Sequence, residues 1–402
     1  MREYFTEADM LVQQLTKEMF GMDEVVKLCL VALFSDGHVL LEGNPGLGKT
    51  ALVKSFENVM GFQFGRIQFT PDLMPADITG TLMPSTDGSG KLMFKRGPIF
   101  TSLLLADEIN RATPKTQAAM LEAMAERSVT VLGETYSLND DESFRVFKDD
   151  SGSVTLRSNR PFIVLATQNP IEHEGTYELP EAQSDRFMFK ILMPTPNEDT
   201  LLRILSKTSG TLATQEKNGS TNLKAGSRFT LQQRHDMSVE LYKNLKEDIK
   251  AVQPLPSVQK HIANLFLATN GKADAIDSVN GKARERLKQL HGQLQFGLGP
   301  RSAIDLMKAA KAWTKLFIPD VTSADGRALA QVVLPVLRHR THLTYEGRSA
   351  HQLSAGVNRD RVTDHFLRDL CTESAPDIGT LHQSYRKTFA SALDQMISER
   401  GC

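Results

Sequence analysis

Cysteine is scarce in this chain. There are three in 402 residues, Cys29, Cys371 and Cys402, widely spaced and odd in number. That excludes a disulfide framework and a paired-cysteine zinc site, and it fits a reducing cytoplasm. No run of about 18 apolar residues occurs, so no segment reads as a membrane span. The N-terminus, MREYFTEADM, lacks a cationic start followed by an apolar stretch, which argues against a secretory signal. The expected location is cytoplasmic. Neither sign of charge dominates: Lys and Arg number 47, Asp and Glu 48, and the formal charge is −1. Such a balance speaks against a nucleic-acid coat or a polybasic membrane anchor. Internal repeats and heptad arrays are also missing. What is present is a globular composition, 40% apolar and 24% charged, long enough for two or three domains at about 150 residues each.

From Phe5 to Phe34 apolar residues recur at helical spacing, in two pieces broken around Gly21. Short apolar runs follow at His38–Leu41, Gly65–Phe69, Ser102–Ala106, Phe162–Ala166 and Phe187–Leu192. They alternate with helical stretches such as Ala51–Val59 and Lys115–Glu126, which predicts an α/β layer with a parallel sheet. Two prolines in Met193-Pro194-Thr195-Pro196 interrupt any element and mark a boundary. Helical periodicity dominates beyond it, at Asn197–Ser206, Leu241–Val252, Val258–Thr269, Ser302–Phe317 and Ala324–Arg338. The expected division is residues 1–193, 194–343 and a helical tail at 344–402. Two polar stretches, Asn139–Arg160 and Lys207–Arg228, read as a long hairpin or loop and a surface insertion.

Gly43-Asn44-Pro45-Gly46-Leu47-Gly48-Lys49-Thr50 matches the phosphate-loop pattern G-x-x-x-x-G-K-[ST] in full, with Ala51 continuing the helix. Glycines let the backbone approach a phosphate and take up positive φ, and successive N–H groups at the helix start form an anion nest. In this pattern Lys49 reaches the β/γ-phosphates and the Thr50 hydroxyl binds magnesium. The run Leu103-Leu104-Leu105-Ala106 then delivers Asp107-Glu108 at a strand's C-terminal end, where an α/β sheet places its ligand crevice. Asp107 is the expected magnesium carboxylate. Glu108 faces differently and can polarise a water for attack on the γ-phosphate, which points to hydrolysis rather than storage. A guanine-selective N-K-x-D is absent, so ATP is the expected nucleotide.

Longer text around these motifs carries a family resemblance. Asp107-Glu108-Ile109-Asn110-Arg111-Ala112-Thr113-Pro114-Lys115-Thr116-Gln117, with Leu121-Glu122-Ala123-Met124, resembles the second nucleotide motif of the MoxR family of AAA+ ATPases. Ala166-Thr167-Gln168-Asn169-Pro170 resembles its sensor-1 signature, and the run from Glu174 to Phe187 follows the family text almost residue for residue. Leu298-Gly299-Pro300-Arg301-Ser302-Ala303 is similar to the sensor-2 motif of the helical lid, and Val336-Leu337-Arg338-His339-Arg340 to its closing helix. The resemblance implies an AAA+ P-loop core with a five-stranded parallel sheet, followed by an all-α lid.

The resemblance also implies roles. Asn169 would position the attacking water or touch the γ-phosphate. Arg186 would be an arginine finger offered to a neighbouring subunit, with Arg127 and Arg160 as competitors. Arg301 would reach the nucleotide from the same subunit. Gly21-Met22-Asp23-Glu24-Val25 would border the adenine, and Thr70–Lys95 would be the inserted helix and loop of this AAA+ branch. The implied assembly is a ring of identical subunits, most simply a hexamer, remodelling or maturing other protein complexes with ATP and Mg2+. Its implied partner carries a von Willebrand factor A domain. A nucleic-acid-remodelling motor and a magnesium-chelatase-like motor subunit are the alternatives, the first opposed by the even charge. A nucleotide switch with little turnover is opposed by Asp107-Glu108.

Overall fold

The computed structural model describes residues 10–16, 19–44, 46–84, 92–131, 133–139, 147–148, 154–155, 161–169, 177, 179–208, 231–319, 321–355, 359–377 and 379–399. Two compact units result. One is built on Asp9–Leu179 and Ile191–Asn244, the other on Pro180–Lys190 and Leu245–Cys402.

In the first unit, β1 (Val39–Glu42), β2 (Phe64–Gln68), a hairpin of β3 (Gly80–Pro84) and β4 (Leu92–Arg96), and β5 (Leu103–Asp107) come in turn. They are followed by a hairpin of β6 (Ser128–Val131) and β7 (Glu134–Ser137), a short pair of β8 (Phe147–Lys148) and β9 (Val154–Thr155), then β10 (Ile163–Gln168) and β11 (Phe189–Leu192). Five of these form the parallel sheet, in the order β11-β1-β10-β5-β2. The register sets Val39 beside Leu165, Ile163 beside Leu103, and Phe64 beside Leu103. The central strands are near-continuous apolar runs because helices cover both faces of a parallel sheet. Thus Val39–Leu41, Leu103–Ala106 and Ile163–Ala166 are all buried. Edge strand β2 is more open and carries Arg66 and Gln68 on one face.

Helices Asp23–Phe34, Lys49–Met60 and Pro114–Glu126 belong to this unit. The last begins with Thr113 in extended conformation and Pro114 in its first turn, where a missing N–H costs nothing. Between β2 and β5 the expected helix and loop is a one-turn helix, Pro75–Thr79, followed by the β3–β4 hairpin, in which Met83 pairs with Met93. Alternating residues such as Phe94 pack on one side of that ribbon. Phe94 stacks on Tyr136 with ring centroids 4.5 Å apart and meets Phe100 edge-on, so the two hairpins share an aromatic contact.

The second unit is helical: Pro256–Thr269, Gly281–His291, Pro300–Phe317, Gly326–Leu337, Tyr345–Ala355, Arg359–Ser374 and Gly379–Glu399. Gly326–Leu337 is apolar nearly all round. It packs between Pro300–Phe317 and Gly379–Glu399. The described residues beyond 344 fold as three helices, and Phe366, Leu370, Phe389 and Leu393 enter the same core. Polar bonds reinforce that packing. Asn264 donates to the Ser374 carbonyl at 2.8 Å, and His261 bonds the Cys371 carbonyl at 2.8 Å and the Tyr385 hydroxyl at 2.9 Å.

Candidate nucleotide site

Strand β1 runs into Gly43, and the helix beginning at Lys49 follows six residues later. Gly43 is required by crowding: a Cβ there would sit 2.7 Å from that of Met193. Gly48 has φ +79°, which glycine adopts without strain, and it stands at the helix N-cap. Having no side chain, Gly48 cannot cap the first turn, whose N–H groups and positive dipole end suit an anion. Lys49 opens that helix, 8% exposed. Its ammonium donates to the Gly43 carbonyl at 2.6 Å and the Gln168 carbonyl at 3.3 Å. Burial lowers the Lys49 pKa, opposed by the negative charges of Asp107, Glu108 and Glu42. An anionic phosphate would relieve the same cost, which fits the loop's chemistry. Thr50 is half-buried, while Asn44, Gly46 and Ala51 are exposed; Pro45 lies outside the described residues.

Two strands away, β5 ends on Asp107. Its carboxylate accepts from the Thr167 hydroxyl at 2.7 Å and pairs with Arg66 at 2.7 Å. Glu108 then takes up φ +56° and ψ +48°, a left-handed conformation rare for a residue with a side chain. The turn is held from several directions. The Glu108 N–H donates to Thr167 Oγ1 at 2.8 Å. Oε1 accepts from the Asn169 amide at 3.1 Å, and Oε2 from Gln68 at 3.0 Å and from Arg111 at 2.9 Å. A conformation costing roughly 1–3 kcal/mol and so thoroughly secured is characteristic of functional positions. Behind it, fully buried Gln117 donates to the carbonyls of Ile109 and Ala112 at 3.3 and 3.1 Å, clamping the loop after the two acids.

The topology therefore brings together Lys49, Asp107, Glu108 and Asn169 at the C-terminal ends of three adjacent strands, β1, β10 and β5. The strand ending before Asn169 lies between the other two. The side chain of Asn169 addresses Glu108. One carboxylate, Asp107, and one hydroxyl, Thr50, fit a magnesium ion that keeps phosphate oxygens and water as its remaining ligands. Sequence reasoning left Arg66, Gln68, Arg111 and Thr167 without roles. The i, i+2 spacing of Arg66 and Gln68 at a strand end was the available signal, but their target lies about 40 residues away.

Of the arginines, Arg127 is committed elsewhere: it donates to the Asp36 carbonyl at 2.6 Å and pairs with the Asp36 carboxylate at 3.5 Å. Arg160 lies outside the described residues, as do most of residues 139–160 and all of 209–230. Arg186 and Arg301 belong to the helical unit. Arg186 is half-buried just after the one-turn helix Glu181–Ser184, and its guanidinium takes no hydrogen bond or ion pair among the described residues. Arg301 is exposed in the first turn of Pro300–Phe317.

The chain is similar to known proteins. A sequence profile of the ATPase family associated with various cellular activities (AAA) matches residues 38–150 and 150–189. Chaperone MoxR1 of Mycobacterium tuberculosis is 34% identical over 346 residues, which is 85% of this chain and 77% of that protein. The chain belongs to the MoxR family of AAA+ ATPases. Another relative is the uncharacterized protein YeaC of Bacillus subtilis, 37% identical over 338 residues, 84% of this chain and 87% of that one. The crystal structure of a candidate ATPase from Cytophaga hutchinsonii matches this MoxR-type fold with a TM-score of 0.66 and 30% identity, covering 91% and 95% of the two chains. No helix among the described residues is long and apolar enough to cross a membrane.

Proposed function

We propose that this chain hydrolyses ATP as a subunit of a homo-oligomeric ring, most simply a hexamer, and uses the cycle to remodel or mature other protein complexes. The observation that carries hydrolysis is Glu108, turned into a left-handed conformation directly after Asp107 and held by Asn169, Gln68 and Arg111. In this reading Gly43–Ala51 cradle the phosphates, and Lys49 offsets charge on the β/γ-phosphates. Thr50 and Asp107 hold magnesium, which when bound would neutralise phosphate charge. Glu108 accepts a proton from the attacking water, and Asn169 fixes where the carboxylate sits. Arg186 serves a neighbouring subunit's nucleotide, a role supported by its lack of intramolecular partners among the described residues while Arg127 is engaged. Arg301 would answer to the nucleotide from its own subunit. The name of the chaperone relative supports the remodelling class, and a von Willebrand factor A domain protein is the partner class the family resemblance implies.

Phosphate release by wild type, Lys49→Ala and Glu108→Gln tests the chemistry. Lys49→Ala should lose nucleotide binding. Glu108→Gln should keep it while turnover falls by about 10²–10⁴-fold. Wild-type rates in both variants would refute the assignment. Light scattering with and without ATP reads the ring, and the ATP-loaded Glu108→Gln protein as bait reads partners. Recovery of DNA alone would sink the chaperone reading.

A further inference from the structure

Arg338, His339 and Arg340 follow one another in a 3₁₀ turn after the Gly326–Leu337 helix, and each is at most 7% exposed. Three consecutive buried polar side chains are costly unless their hydrogen-bonding groups are met. Several of those groups are met by one short segment, residues 185–190, which carries Arg186. Arg338 donates to the Lys190 carbonyl at 3.0 Å and His339 to the Phe187 carbonyl at 2.9 Å. Arg340 donates from one terminal nitrogen to the carbonyls of Asp185 and Phe187, at 3.0 and 2.9 Å. Its Nε also pairs with the Asp185 carboxylate at 2.8 Å. One guanidinium thus holds the backbone on both sides of residue 186.

The turn is itself anchored. Arg340 pairs with Asp305 at 2.6 Å, on the Pro300–Phe317 helix. Arg338 makes two bonds to Asp364, at 2.8 and 2.7 Å. The Arg186 side chain, by contrast, is tied to nothing among the described residues. Its tip is available while its root is fixed. Stabilisation of the fold needs only that the buried charges be paired. It does not need two carbonyls flanking an arginine unpaired among the described residues to be gripped by the same nitrogen.

We infer that Arg340 is the positioning residue for Arg186, fixing the backbone from which that arginine is offered to a neighbouring subunit. The inference rests on the proposed reading of Arg186. A reacting group displaced by about 1 Å can lose on the order of 100-fold in rate. Lysine keeps the charge that Asp305 and Asp185 require, but its one nitrogen sits a bond short of the terminal nitrogen that meets both carbonyls and Asp305, and it has no second nitrogen for the Asp185 carboxylate. Arg340→Lys is therefore the informative variant.

Arg340→Lys rings should assemble as wild type, with kcat about 10–100-fold lower and the KM for ATP within about two-fold. The loss should reside in the finger and not in the pocket. Mixing with Lys49→Ala subunits, which keep Arg186 but cannot hold ATP, should restore turnover, as it should for Arg186→Ala. An Arg186→Ala/Arg340→Lys double variant should be no slower than Arg186→Ala. Wild-type kcat in Arg340→Lys, a KM rise in place of a kcat loss, additive losses in the double variant, or no recovery where Arg186→Ala recovers would each overturn the inference. Failure of the finger reading shows separately, in the Arg186→Ala arms alone, as unchanged kcat or as no recovery with Lys49→Ala; either result also leaves Arg340 with nothing to position. Should Arg340→Lys not assemble, Asp305→Asn takes its place: the same pattern with a smaller loss, about 3–10-fold, supports the inference, and wild-type kcat overturns it.

Discussion

The side-chain amide of Asn169 donates to Oε1 of Glu108 at 3.1 Å, joining the end of one strand to the residue after its neighbour. Gln68 and Arg111 occupy the other carboxylate oxygen. Glu108 is therefore a carboxylate whose direction is set by three donors from three parts of the chain. Asn169→Ala removes one of them without altering the phosphate loop. Turnover should fall by about 10–100-fold with nucleotide affinity unchanged, since orientation and not binding is lost. Asn169→Asp should be slower still, because it sets like charges side by side. Steady-state phosphate release paired with nucleotide titration checks both.

Gly43 touches Met193 where the first strand gives way to the phosphate loop. A methyl group at residue 43 would meet the Met193 Cβ at 2.7 Å, closer than such atoms approach. Gly43→Ala should cost about 1–3 kcal/mol of stability, as overpacking does, and weaken nucleotide binding by displacing the loop. Because the clash is with a Cβ, Met193→Gly should relieve it and Met193→Ala should not. Chemical denaturation of the three variants decides the matter.

Arg338 and Asp364 form an ion pair with side chains 3% and 2% exposed. Removing one partner strands the other in a medium that cannot solvate it, at a cost of about 3–5 kcal/mol. Asp364→Ala should show that loss in urea unfolding. A cost near zero would mean that the helices after residue 344 contribute little to the core.

His261 predicts a dependence on pH. Burial pulls its pKa down to about 4. Its Nε2 must carry the proton donated to the Cys371 carbonyl, leaving Nδ1 to accept from Tyr385. An unfolded histidine titrates near 6.5, so between those values the unfolded chain binds a proton that the native chain refuses. Stability should therefore fall as pH drops from about 6.5 toward about 4, by up to roughly 3 kcal/mol from this group. His339, also held neutral by burial, adds in the same direction. His261→Gln should flatten the profile, and identical slopes in variant and wild type would count against it.

Much of this protein could be read from local text. The phosphate loop, the acids ending Leu103–Asp107 and the alternation of strand and helix are short-range patterns. Each reflects a requirement met within about ten residues: backbone freedom, an apolar run, a charge at a strand end. The sheet strands accordingly lie within about two residues of the expected runs. The hairpin in place of the expected loop between β2 and β5 was harder to foresee, because its alternation is weak and its packing partner, Tyr136, is 42 residues from Phe94.

Chemical identity at the site was thus written in the order of residues, while its geometry was not. That Gln68 and Asn169 both address Glu108, that Arg127 is spent on Asp36 while Arg186 is unpaired among the described residues, and that Arg340 grips the carbonyls around Arg186 depend on contacts between residues 40 to 155 positions apart. Such pairings follow from strand order and helix packing, which balance burial over a whole unit. A charged residue carries no mark of its partner until that packing brings the two together.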